Sequence, residues 1–83
     1  MKIVYLAGLR RQIGVAEEIV TPPENIDRID PLILWLKQRS PAHDKALSSC
    51  QRLMVAVNQD YASGDRLIKA DDEIAFFPPV TGG

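Results

Sequence analysis

The sequence is poor in the residues that build metal sites, disulfides and membrane spans. Its one cysteine, Cys50, cannot close an internal disulfide, and its one histidine, His43, stands in no Cys, Asp or Glu pattern with metal-ligand spacing. No metal is therefore expected, Cys50 reads as a bystander thiol and His43 as a surface side chain, and the lone thiol fits a reducing compartment. Apolar runs such as residues 53–57 fall far short of the roughly 20 residues a membrane helix needs, so no membrane association is expected. Basic residues are not in excess. Ten Lys and Arg stand against eleven Asp and Glu, and a net charge of −1 leaves no field to attract nucleic acid by counterion release. The apolar start is cut by Gly8-Leu9-Arg10-Arg11, which puts positive charge on the wrong side for a secretory leader and points to the cytoplasm.

What is present describes an ordinary globular chain, 46% hydrophobic and 25% charged over 83 residues, enough for one compact domain. Residues 2–7, with Ile3, Val4, Tyr5 and Leu6, read as a strand that Gly8 ends. One helical turn is expected over 9–13, and a second strand over 15–20 forms a hairpin with the first. Thr21-Pro22-Pro23 stops that strand, because proline lacks the N–H a ladder requires. Asp30 as N-cap and Pro31 in the first helical position then open a helix ending near Ser40-Pro41, with Leu32, Trp35 and Leu36 as its core stripe. Another turn is expected over 42–47, a third strand over 53–57 closed by Asn58-Gln59, a short edge strand within 61–67, and a last strand over 73–77. The acids Asp71, Asp72 and Glu73 are expected to be solvated. This order predicts an α+β architecture, a mixed sheet of about five strands with one main helix packed on one face, as in a β-grasp fold.

The chain divides on this reading into a domain over 1–77 and an extended tail over 78–83. Pro78-Pro79-Val80-Thr81-Gly82-Gly83 can be neither helical nor fully paired in a sheet, so it is expected to project as an arm stiffened at its base by two prolines. Gly82 and Gly83 have no Cβ and make the tip as narrow as a polypeptide can be, suited to threading a tight channel in another protein. The deliverable group is then the carboxylate of Gly83. A carboxylate becomes an acyl donor only when an oxygen is made a leaving group, commonly by adenylation. The chain has no Walker-type phosphate loop of its own, so it reads as a substrate for ATP chemistry, with ATP consumed by a partner and no cofactor bound.

The stretch from Asp72 through Ile74-Ala75-Phe76-Phe77-Pro78-Pro79-Val80-Thr81-Gly82-Gly83 resembles the ending of the molybdopterin synthase small subunits, the ubiquitin-like MoaD family. Ala56-Val57-Asn58-Gln59 resembles that family's strand and turn before the final hairpin, and Ala7-Gly8-Leu9-Arg10 with Gly14 its first strand and turn. The sequence departs from the pattern at Ala70-Asp71-Asp72, where an Asp-Gly-Asp turn is usual, and at Arg11, where an acid often stands. The resemblance implies a sulfur carrier that is not itself a catalyst. An adenylyltransferase related to ubiquitin-activating enzymes would adenylate Gly83, and a sulfur-donor enzyme would supply the atom that makes a thiocarboxylate. The tail would enter the large catalytic subunit of a hetero-oligomeric synthase and give sulfur to cyclic pyranopterin monophosphate, forming the dithiolene of molybdopterin. The same tail would also serve a carrier for thiamine or tRNA thiolation, or a protein modifier conjugated through Gly83.

Strand alternation locates the partner surface. If Ile74 and Phe76 face the helix, Ala75 and Phe77 point away, and Phe77, Leu6 and Tyr61 make an apolar patch on the helix-free side.

Overall fold

In the computed structural model, which describes residues 1–49 and 53–78, five strands form one mixed sheet of order β2-β1-β5-β3-β4. In chain order the elements are β1 (Lys2–Tyr5), α1 (Gly8–Ile13), β2 (Glu17–Ile19), α2 (Ile29–Lys37), α3 (Pro41–Ser49), β3 (Met54–Val57), β4 (Asp60–Tyr61) and β5 (Glu73–Phe77). The central pair β1 and β5 is parallel, with Tyr5 beside Phe76, while β2 and β3 flank it antiparallel. This is the mixed five-stranded sheet expected, with its first hairpin and its last strand in place.

Alternation decides which face is covered. Ile3, Tyr5, Ile74, Phe76, Val55 and Val57 turn one way and are buried under the helices, where Ile29, Leu32 and Leu36 of α2 and Ala46 and Leu47 of α3 meet them. The α2 residues recur at spacings of three and four, so they lie on one side of the helix.

Several local details differ from expectation, each for an identifiable reason. The first strand stops at Tyr5 because Ala7 takes φ 54° and starts α1, whose Leu9 N–H reaches the Leu6 carbonyl at 3.2 Å. Asp30 is not the N-cap of α2: that place is Arg28, and no side chain caps the helix. Backbone carbonyls of the 63–66 loop satisfy the first free N–H groups instead, Arg66 O accepting from Ile29 at 3.2 Å and Gly64 O from Asp30 at 2.9 Å. A Cβ at position 64 would meet the exposed Asp30 carboxylate, which would have to turn aside. Trp35 is half-buried at the edge of the core rather than in it, and Arg39 lies over its ring at 5.3 Å. The turn expected over 42–47 is a full nine-residue helix, because Ser40 caps it: its Oγ accepts the His43 N–H at 3.1 Å.

The β3–β4 turn carries Asn58 and Gln59 both at positive φ, 50° and 73°, the two-residue form whose twist suits a hairpin. Asp72 does more than meet solvent. It accepts from the Lys69 N–H at 2.7 Å and from the Asn58 side-chain amide at 2.9 Å, while Asn58 accepts the Glu73 N–H at 3.0 Å. A carboxylate clasp therefore closes the Ala70-Asp71 turn that lacks glycine and locks it to the β3–β4 hairpin.

Candidate functional site

Leu6 is the joint at the base of the tail. Its N–H donates to the Phe76 carbonyl at 3.1 Å and its own carbonyl accepts from Leu9, so the end of β5 and the start of α1 hang on one residue. Phe76 is fully buried and its ring stacks on Tyr5 with centroids 6.4 Å apart, while Pro78 has left the strand. The strand that precedes the tail is thus the central one of the sheet, paired on both edges. Pro79, Val80, Thr81, Gly82 and Gly83 lie outside the described residues, as does Cys50.

On the face without helices, Phe77 and Tyr61 approach with ring centroids 6.0 Å apart at 51°, a tilted aromatic pair. Tyr61 is 75% exposed and Leu6 45%, and Ala75 and Val4 lie side by side between β5 and β1 on the same face. The three residues singled out from alternation are therefore brought to one side of the sheet at the end where the tail departs. A cavity of about 440 Å³ opens at the opposite end, lined by Met1, Val20, Ile26 and Ile68 among others, away from the tail and without a buried polar side chain. Among the described residues no group of three His, Cys, Asp or Glu side chains could hold a metal ion.

A polar cluster behind the tail strand was not legible in the sequence. Glu18 pairs with Ile3 across the β1–β2 ladder and so turns toward the helices. Its Oε2 accepts the Tyr5 hydroxyl at 2.7 Å and contacts His43 Nε2 at 2.7 Å, and its Oε1 accepts from Arg39 Nη2 at 3.2 Å. On the far side of the imidazole, Nδ1 meets Ser40 Oγ at 2.7 Å, and the ring edge packs on Tyr5. His43 is thus 12% exposed and held on both nitrogens, not a surface side chain. Burial works against the Glu18 charge, but the hydrogen bonds from His43 and Tyr5, with the Arg39 charge, outweigh it and hold the carboxyl below the ordinary range. Burial, reinforced by the Glu18 hydrogen bond and charge, pushes the Tyr5 hydroxyl far up, so it stays a donor. The cluster ties the β1–β2 hairpin to the α2–α3 junction and steadies the strand beside β5. One signal was available: Ser40-Pro41 opening a helix with a histidine three residues on places that histidine beside its own cap.

Comparison with known proteins finds relatives along nearly the full length of the chain. The model of the ThiS family matches residues 3–83. The chain is 33% identical to the molybdopterin synthase sulfur carrier subunit of Escherichia coli, covering 100% of this chain and 99% of that protein. It is 30% identical to the human protein of the same name, over 100% and 93%. The crystal structure of SAMP1 from Haloferax volcanii, a small archaeal modifier protein, superposes with a TM-score of 0.79 at 25% identity, covering 100% of this chain and 98% of that one.

Proposed function

The chain belongs to the ThiS family, and on that premise we propose that it is the sulfur-carrier small subunit of a molybdopterin synthase. The observation that carries the reading is where the last strand ends: β5, bonded on both edges, reaches Phe77 and Pro78 beside an apolar patch on the helix-free face, directly before the Gly-Gly ending of the sequence. A fixed base and a side-chain-free tip let the Gly83 carboxylate reach an active site in another protein while Phe77, Leu6 and Tyr61 dock outside it.

The chemistry is acyl transfer. An adenylyltransferase of the ubiquitin-activating type joins the Gly83 carboxylate to AMP and releases pyrophosphate. A sulfide-level sulfur nucleophile from a donor enzyme attacks the acyl carbon, AMP leaves, and a thiocarboxylate remains. Its sulfur then attacks a side-chain carbon of cyclic pyranopterin monophosphate in the large subunit, the oxygen on that carbon leaving as water or with the opening phosphate ester, and water cleaves the resulting thioester, returning the carboxylate. Two donations make one dithiolene. The carrier supplies the acyl group and its delivery, and the catalytic groups belong to its partners.

The likeness to a modifier protein supports conjugation of Gly83 to lysine as the competing reading. Reconstitution separates the two. Thiocarboxylated chain mixed with the large subunit and the precursor should yield molybdopterin, and the chain lacking Gly83 should yield none. Product formation unaffected by the loss of Gly83 would remove the carrier reading, and isopeptide-linked products alone would favour the modifier.

A further inference from the structure

Charged side chains are partnered unevenly along the strands. At the end where β5 passes into the tail, Leu6 fastens α1 directly beside it, and α1 carries Arg10 and Arg11. Both are exposed, and neither makes an ion pair or side-chain hydrogen bond among the described residues. The acids nearest along β2 are already engaged, Glu17 by Lys2 at 3.4 Å and Glu18 by Tyr5, His43 and Arg39. At the other end β5 begins at Glu73, next to Asp71 and Asp72, with Asp60 at the adjoining hairpin. The acids at that end are partnered by bases, Glu73 by Lys2 at 3.8 Å and Asp72 by the nearby Lys69 and Arg66, whereas Arg10 and Arg11 at the end where β5 finishes have no such partner among the described residues.

The helix itself has little need of this pair. α1 has six residues, and Gly14, in the left-handed conformation at φ 98°, already closes it by donating to the Arg10 carbonyl at 2.9 Å. Both side chains are instead exposed on the helix whose first turn hangs on Leu6, so two cations and the apolar residues Leu6 and Phe77 share the end of the sheet where β5 finishes, a mixture of apolar centre and charged margin common at protein interfaces. We infer that Arg10 and Arg11 form a cationic rim that docks on an acidic protein surface around the entrance receiving the tail. The rim also turns the carrier so that the tail arrives first. This rests on the carrier reading above. Nucleic acid fits less well, since two cations on an otherwise acidic chain neutralise too few phosphates.

Rim charges act mainly on association rate and its salt dependence. Arg11→Glu and Lys69→Glu change net charge equally, but Lys69 lies at the opposite end. Association of the full chain with the large synthase subunit, followed by stopped-flow fluorescence, should slow about fivefold for Arg11→Glu at low salt and less than about twofold for Lys69→Glu. The difference should vanish near ~0.5 M salt, where screening acts over only a few ångströms. Arg11→Gln, which removes the charge without reversing it, should fall between wild type and Arg11→Glu. Equal slowing by Arg11→Glu and Lys69→Glu would assign the effect to net charge and overturn the rim. So would an Arg11→Glu rate equal to wild type, or RNA retained at low salt by wild type and not by Arg11→Glu. A wild-type chain that never associates with the large subunit overturns the carrier reading and the rim together, which separates that failure from the others.

Discussion

Replacing Glu18 with glutamine keeps the side-chain shape and removes the charge that organises the cluster behind the tail strand. Two contacts at 2.7 Å, from Tyr5 and His43, lose their charge assistance, and one loses its acceptor if the new amide nitrogen faces it. A hydrogen bond to a charged group contributes roughly 1.5–3 kcal/mol net against about 1 for a neutral one, so two such losses amount to ~2 kcal/mol. The Arg39 contact adds little, because that side chain is 35% exposed and screened by solvent. In a domain of this size ~2 kcal/mol corresponds to a fall of about 10 °C in Tm. The sign of the pH dependence follows from the depressed Glu18 carboxyl. Its contribution is complete above the unfolded-state pKa of about 4.3 and is lost as pH falls through the lower folded value. Urea denaturation followed by circular dichroism should therefore show a constant gap between wild type and Glu18→Gln from neutral pH to about 5, narrowing below about 4. Equal stability at pH 7, or a gap that does not shrink in acid, would refute this account of the cluster.

Other perturbations test other parts of the structure. Gln59→Gly should stabilise the domain by about 1 kcal/mol, read from the urea midpoint, because Gln59 sits at φ 73° in a turn that favours Asn-Gly. A destabilised variant would show that the Gln59 side chain has a role of its own. Gly64→Ala should change stability by less than about 1 kcal/mol, since its Cβ meets only the exposed Asp30 carboxylate, which can turn aside, and a loss of several kcal/mol, read from the urea midpoint, would show that the carboxylate is held in place. Phe77→Asp should leave the unfolding midpoint nearly unchanged, its ring lying on the helix-free face, yet weaken the complex with the large subunit by ~2 kcal/mol, about 30-fold in Kd by titration calorimetry. Unaltered affinity would remove Phe77 from the interface.

Most of the fold could be read because period and punctuation agreed. The final strand is bounded by acids before and prolines after, and β5 runs over Glu73–Phe77 as expected. The faces of Ile74 and Phe76 followed from alternation once one of them was placed inside. Boundaries failed where a distant backbone took over a local role. Asp30 had every mark of a cap, but the carbonyls of Gly64 and Arg66 reach the helix start first, and no local pattern reports a loop more than thirty residues away. The position of Trp35 failed for a related reason: its spacing suits the core stripe, but Ile29, Leu32 and Leu36 fill the space and leave the indole to Arg39. The Glu18–His43 cluster joins residues 25 apart through three elements, and polar side chains in a half-buried strand read as solvent-facing until the register is known. The tail differs again. Composition and family resemblance suggest its chemistry, but Pro79 to Gly83 lie outside the described residues and its destination is a property of proteins other than this one.

Intact-mass spectrometry addresses the sulfur-carrier reading most directly. The full chain incubated with its adenylating enzyme, ATP and a sulfur donor should gain the mass of one oxygen replaced by sulfur, and fragmentation should place that change on Gly83. A chain that is adenylated under these conditions yet never acquires sulfur at Gly83, or acquires it elsewhere, would contradict the account.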